Sequence, residues 1–494
     1  MCCKYVLVLS ICLLWLFSCS CARIFTLEMH HRFSAPVKEW YHRSRTGLPV
    51  HNWPEKGSVE YYVLLASHDR TFHRRALSGF DGALTFSDGN ATFRISSLGF
   101  LHYTTVTLGT PGMTFLVALD TGSDLFWVPC HCMKCASTDD SPYASDFELS
   151  IYDADRSSTS KHVTCSNDLC THHDSCNGTS GYCPYHVSYV SSETSTSGIL
   201  VEDILHLRTL DNDQELIKAY VTFGCGQVQT GSFLDIAAPN GLFGLGLEKV
   251  SVPSTLFREG YMANSFSMCF GHDGTGRINL GDKGSLDQEE TPFHTSSFHP
   301  TYNVNVTQVR VGTTVLDYEF TALFDSGTSF TYLVDPFYTM LSDSFKSHVR
   351  DLERPPDPRI PFEYCYIMSH DTQTSLIPSM SLTMDGGGQL VVYDPIIVIS
   401  SPHELVYCLA VVKSQELNIV GRYNLEDSNA SEAKPVNYAK APPPTAVSLL
   451  NHTPQSDVPD TNNARDLAAL SLYTYVNRSR IFMGPSIFKE PPTQ

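Results

Sequence analysis

Two aspartates stand out for their surroundings: Asp120 within FLVALDTGSDLFWVP (115–129) and Asp325 within TALFDSGTSFTYL (321–333), about two hundred residues apart. In each copy an apolar run rich in β-branched and aromatic residues leads into the acid, and a small hydroxylated residue and a glycine follow. That order predicts a carboxylate at the end of a buried strand, in a tight loop that glycine makes possible. Two such loops could set two carboxyls face to face. One could take a proton while the other, protonated, donates one, which is paired acid–base chemistry. Ser123 and Thr328 each lie three residues after their aspartate, where a hydroxyl can bond the outer carboxylate oxygen and keep it from turning. A lone aspartate in such a setting would more often be a turn or cap residue. The duplication argues against that.

The loops need elements to hold them, and a weak internal repeat supplies candidates. NGLFGLG (240–246) follows the first loop and LNIVG (417–421) follows the second, each with two apolar residues before a glycine. Around them the texture is short β-rich runs broken by Gly, Pro, Asn and Asp, such as LHYTTVTLG, AYVTFGCG, YNVNVTQVRVG and QLVVYDPIIVIS. Short strands at this spacing predict a mostly-β fold. Helical pattern is sparse; the clearest piece is 336–352, with a proline at its first turn.

Composition bounds the rest. The 494 residues are 42% hydrophobic, enough for a globular core, and carry a formal charge of −19. With no basic cluster against that charge, a nucleic-acid surface is excluded. The opening MCCKYVLVLSICLLWLFSCSCA has the layout of a secretory signal peptide ending near Ala22; its apolar run is short for a membrane anchor. Five of the 16 cysteines fall in this leader, and seven of the remaining eleven crowd between Cys130 and Cys183. In an oxidising compartment they read as a loop-rich insertion held by disulfides. The rival reading is a metal site, since CHCMKC and THHDSC mix Cys with His, but the spacing is not that of paired C-x2-C ligands. Sequons at Asn90, Asn177, Asn305, Asn429, Asn451 and Asn477 predict glycosylation on surface loops.

On these motifs the chain resembles the pepsin-like aspartic proteases, in particular the plant type with a cysteine-rich insertion in its N-terminal lobe. The resemblance covers about residues 100–421 and, more loosely, FTLEMHHRFS. It implies a mostly-β, bilobal fold with the active-site cleft between two lobes, and Asp120 and Asp325 as the catalytic pair. Two carboxyls held together cannot both ionise cheaply, and aspartic proteases are themselves the reference case for this rule. Trp127 matches the tryptophan after the first loop. CPYHVSYVSSETSTSG matches the flap and places the flap tyrosine at Tyr189, with Tyr182 and Tyr185 close by. Cys365 and Cys408 match the second-lobe disulfide. Cys269 occupies a position that pairs with a late cysteine in relatives, and is expected to lack that partner here.

The implied organisation is a signal peptide over 1–22, a propeptide over 23–96, an N-terminal lobe over 97–290 with its insertion at 130–183, and a C-terminal lobe over 291–421. The last is shorter than in relatives, and the polar, Pro-rich 422–494 reads as a disordered tail. The basic, His-rich propeptide is expected to lie across the cleft at neutral pH and to leave in acid. The expected activity is that of a secreted, monomeric endopeptidase acting on proteins or peptides in acid, with no cofactor, no metal and no nucleic-acid partner. A membrane anchor is expected only in a form with an intact C-terminus. The alternatives are a catalytically silent binding or inhibitor protein on the same fold, and an inactive truncated isoform.

Overall fold

The computed structural model describes residues 23–43, 53–73 and most of 101–421, with the backbone of 471–477 and 480–486. A 14-stranded sheet builds the first lobe, and an eight-stranded and a four-stranded sheet build the second. The fold is mostly β and bilobal, as the motifs imply.

The internal repeat of the sequence is also a repeat in space. Strand Met113–Asp120 runs parallel to Leu242–Gly244, with Asp120 opposite Gly244. In the second lobe, strand Phe320–Asp325 runs parallel to Ile419–Gly421, with Asp325 opposite Gly421. Past each aspartate the chain turns back beside the same short strand: Trp127 meets Leu242, and Tyr332 meets Ile419. Both glycines are required by close approach. A Cβ on Gly244 would lie 2.3 Å from the Asp124 carbonyl carbon, and one on Gly421 would lie 2.0 Å from the Phe330 oxygen. The apolar-apolar-Gly motif therefore marks where a buried strand passes directly behind an aspartate loop.

The 336–352 helix forms over Phe337–His348. Pro336 is its N-cap, not a first-turn residue, and the last turn is lost because Val349 is extended. Tyr338, Leu341, Ser342 and Phe345, at helical spacing, face the core.

Two stretches hold structure that their composition does not announce. In the segment expected to be a propeptide, the described residues 23–43 and 53–73 pack on the body. Phe25–His31 is a strand with Phe25, Leu27 and Met29 buried at period two; it pairs with Thr275–Leu280 on one side and with 102–104 and 208–209 on the other. The basic residues that follow it dominate the local composition and mask this short alternation. Helix Val59–His73 is capped by Ser58, whose hydroxyl accepts from Tyr61 N at 3.2 Å. From Tyr61 to Asp69 every side chain but Ser67 is buried. Packing Val63, Leu64 and Leu65 against the second lobe contributes about 1.5–3 kcal/mol each.

The second stretch is the one read as a disordered tail. Ser471–Asn477 and Arg480–Ser486 form a hairpin whose first strand pairs with Ser265–Met268 and whose second pairs with Glu289–Pro292. The β-rich SLYTYVN was outweighed by the polar, Pro-rich residues before it. Residues 422–470 lie outside the described residues.

Five disulfides close the described structure: Cys130–Cys225, Cys132–Cys135, Cys165–Cys176, Cys170–Cys183 and Cys365–Cys408. All seven cysteines of the insertion are used as disulfides, so the metal reading of that cluster has no thiolates to offer. Cys269, half-buried, belongs to none of the five.

Gly244→Ala and Gly421→Ala should each destabilise the protein by about 3 kcal/mol or more, because the neighbour in contact is backbone and cannot rotate away. Urea denaturation of each variant checks this, and a midpoint equal to that of the parent would show that the loops can shift.

Candidate active site

Each aspartate ends a buried strand and is held at both oxygens. Asp120 Oδ1 accepts from Gly122 N at 2.9 Å and Oδ2 from Ser123 Oγ at 2.6 Å. Asp325 Oδ1 accepts from Gly327 N at 2.8 Å and Oδ2 from Thr328 Oγ1 at 2.6 Å. The four bonds are the same in kind and in sequence offset. Asp120 is 2% exposed and Asp325 4%. The loops touch, with the Thr121 and Ser326 hydroxyls 3.3 Å apart across the two lobes.

Burial raises the affinity of Asp325 for its proton, and the Asp120 charge adds to this, while the Thr328 and Gly327 hydrogen bonds oppose it; the net result is a value of about 6. Such a pair can hold one proton well above the usual carboxylate range.

Trp127, fully buried, donates from Nε1 to Tyr189 OH at 2.9 Å. Of the three neighbouring tyrosines only Tyr189 makes this contact. Tyr185 is buried with its hydroxyl on Thr196, and Tyr182 stacks on His162 at the surface. Tyr189 continues the hairpin of Pro184–Ser188 and Ser195–Thr209, its N bonded to Thr194 O at 2.9 Å. Burial, then the Asp120 charge, holds the Tyr189 phenol well above its ordinary value, so it remains a neutral donor. Phe233 packs edge-on against both rings, at 4.8 Å from Trp127 and 5.0 Å from Tyr189. The sequence reading missed Phe233, which sits in TGSFL with no local motif to mark it.

The largest omission from the sequence reading is a pair of residues on the 59–73 helix. Asp69 Oδ1 accepts from Ser329 N at 2.8 Å, and its Oδ2 accepts from Phe330 N and Tyr332 OH at 3.0 Å. His68 Nε2 lies 2.8 Å from Gly327 O and must donate to it, since a carbonyl only accepts. Both side chains therefore grip the residues that follow Asp325.

Among the sequons, Asn305 lies in strand Asn303–Val311, half-buried, with Oδ1 accepting from Thr321 Oγ1 at 2.8 Å, not on a surface loop. Asn477 ends a strand, and Asn90, Asn177, Asn429 and Asn451 lie outside the described residues. No helix among the described residues is long and apolar enough to cross a membrane.

Two lobes, each closing an Asp-x-Gly loop over a glycine-gated strand and meeting at a shared carboxyl pair, define the pepsin-like class. The comparisons agree. Residues 102–282 match the family model described as xylanase inhibitor N-terminal, and 301–430 match xylanase inhibitor C-terminal. Aspartyl protease family protein 1 of Arabidopsis thaliana is 51% identical over 400 residues, covering 81% of this chain and 77% of that protein. Aspartic proteinase-like protein 1 of the same plant is 38% identical over 410 residues, covering 81% and 76%. Among solved structures, conglutin gamma from lupine seeds superposes with a TM-score of 0.56 at 17% identity, covering 79% of this chain and 93% of that one. Basic 7S globulin from soybean gives 0.54 at 18%, covering 79% and 92%. The chain belongs to the plant pepsin-like aspartic protease family.

The raised affinity of Asp325 has a stability consequence. Its value rises from 3.8 to about 6 on folding, so its contribution is full below 3.8 and is lost as pH rises through 6. Asp325→Asn cannot ionise and escapes that loss, on the order of 3 kcal/mol at neutral pH. The melting temperature of the variant relative to the parent should climb between acid and neutral pH; a difference that stays flat would refute the assignment of buried charge.

Proposed function

We propose that this protein is an aspartic-type endopeptidase that hydrolyses peptide bonds in acid. One observation carries the reading: Asp120 and Asp325 are buried side by side with matching bonds from a loop N–H and a hydroxyl. A binder on the same scaffold has no use for two carboxyls that are expensive to bury.

The division of labour follows from the pairing. Burial and the Asp120 charge raise the proton affinity of Asp325, so the pair shares one proton in acid. The carboxyl that holds it protonates the substrate carbonyl oxygen, and its partner takes a proton from the attacking water. Ser123 and Thr328 hold the two groups at fixed angles, and Trp127 anchors Tyr189 so that the hairpin can close over an extended peptide. Closure excludes water and orients the scissile bond. The five disulfides support an oxidising, secretory location.

A silent binding protein is the second reading, favoured by the xylanase-inhibitor description of the matched family models. Activity separates the two. Asp120→Asn and Asp325→Asn should each remove cleavage of a broad peptide library in acid by about 10³-fold or more, since each deletes half of the acid–base pair, while circular dichroism stays native. Activity of the parent should fall as pH rises past about 6 and should be blocked by a pepstatin-type transition-state mimic. No cleavage by the folded parent would favour the binder, and cleavage by either folded Asn variant would exclude the dyad mechanism.

A further inference from the structure

The two aspartate loops match in sequence and in their own hydrogen bonds, and among the described residues each has its own support from behind. In the first lobe the support follows Gly244 directly. Leu245 N bonds Asp120 O at 2.8 Å, Gly246 N bonds Ser123 O at 2.9 Å, and Glu248 N bonds Asp124 Oδ1 at 2.8 Å. In the second lobe the described support comes from about 260 residues upstream. Asp69 takes the N–H groups of Ser329 and Phe330 and the hydroxyl of Tyr332, and His68 takes the carbonyl of Gly327. Two adjacent side chains thus make four contacts within 327–332, starting two residues after Asp325.

The rest of the N-terminal segment is equally committed. Strand Phe25–His31 has neighbours on both sides, so removing it would open a sheet in its interior and strand two rows of backbone groups. Tyr61, Tyr62, Val63, Leu64, Leu65 and Ala66 belong to one apolar cluster with Phe330, Tyr332, Phe362 and Ile397. Tyr62 adds a bond from its hydroxyl to Val398 O at 2.9 Å.

We propose that segment 23–73 is a permanent part of the folded protein, in which Asp69 and His68 are positioning residues for the Asp325 loop, and that it stays bound after any cut between His73 and Leu101. The name "positioning" rests on the reading of Asp325 above; the retention and the contacts do not. The geometry explains why both residues are needed. Ser329 and Phe330 carry consecutive N–H groups pointing the same way, and only a bidentate acceptor serves both. His68 fixes the opposite polarity of the same turn at Gly327, whose N–H holds Asp325 Oδ1. A shift of this turn would move the donor that orients the carboxyl.

The test avoids any assay of peptide cleavage, so it stands apart from the fate of the endopeptidase reading. Full-length protein carrying Asp120→Asn receives a site for a sequence-specific protease between Leu77 and Ile95 and is cut there. Size-exclusion chromatography with mass spectrometry is then run at neutral pH and in acid. The fragment containing 23–73 should travel with the body in both and separate only in denaturant. A body that elutes without it and keeps a native near-ultraviolet circular dichroism spectrum would overturn retention.

Amide exchange tests the positioning. In Asp69→Ala, exchange at Ser329 and Phe330 should quicken by about tenfold or more while Val221 and Phe223 in the first lobe stay protected. Asp69→Asn keeps a single acceptor oxygen and should restore protection at one of the two amides. Unchanged exchange in both variants overturns the role. So does uniform loosening of the lobe that Asn fails to correct, because that is a loss of packing and not of a clamp. Should the Ala variant fail to fold, the Asn variant decides alone: protection kept at both amides refutes the proposal.

Discussion

A buried carboxylate survives only if its charge or its proton is provided for, and this structure has to provide for two of them at one point. Everything near the site follows from that demand. Each carboxyl takes one backbone N–H and one hydroxyl from its own loop, which fixes the residue order Asp-x-Gly-(Ser/Thr). The loop must be tight, so another strand passes behind it at backbone contact, which fixes a glycine there. That strand runs parallel to the one bearing the aspartate, and a parallel neighbour cannot be reached by a hairpin. The intervening chain is the lobe. Two carboxyls therefore require two lobes, and the size of the protein is a consequence of its smallest feature.

The parts of this arrangement that were legible in the sequence are those built from local order. The two aspartate loops, the later apolar-apolar-Gly strands, the hydroxyls of Ser123 and Thr328 and the β texture all lie within a few residues of a readable pattern. Tyr189 and the pairing of Cys365 with Cys408 came instead from likeness to a family. What stayed hidden was long-range and carried by single side chains. Phe233 completes the ring cluster at Trp127 from a separate short turn. Asp69 reads as one acid in a mixed stretch, and only the folded chain shows the two N–H groups it faces. Composition also misled at both ends, where basic residues near the leader and the polar run before the closing hairpin outweighed seven-residue strands.

Among the described residues, the two loops draw support from different parts of the chain. In the first lobe, the loop is supported by the chain that follows its glycine, and the sheet around it is tied by Cys130–Cys225. In the second, Cys365–Cys408 ties the smaller sheet, while the loop leans on Asp69 and His68. Each loop carries its own donors and asks of its surroundings only that the turn be kept in place.

Asp69 also changes how acid acts on the site. Burial raises its carboxyl to about 7, against the pull of the bonds from Ser329, Phe330 and Tyr332. Its folded value lies above the ordinary 3.8, so its contribution to stability is complete below that value and is lost as pH rises through 7. Asp325 has the same sign over a slightly lower window. Around Asp69 stand Arg32, buried beside Asp69 and Tyr103, and His68, whose Nε2 is 3.9 Å from Oδ1. Protonating Asp69 removes its charge but leaves its oxygens able to accept the N–H groups of the turn, since a neutral carboxyl still offers lone pairs. The backbone clamp thus outlasts the charge. Acid, which readies the carboxyl pair for catalysis under the proposed mechanism, favours the folded state through the same two groups that hold and form the second half of the site.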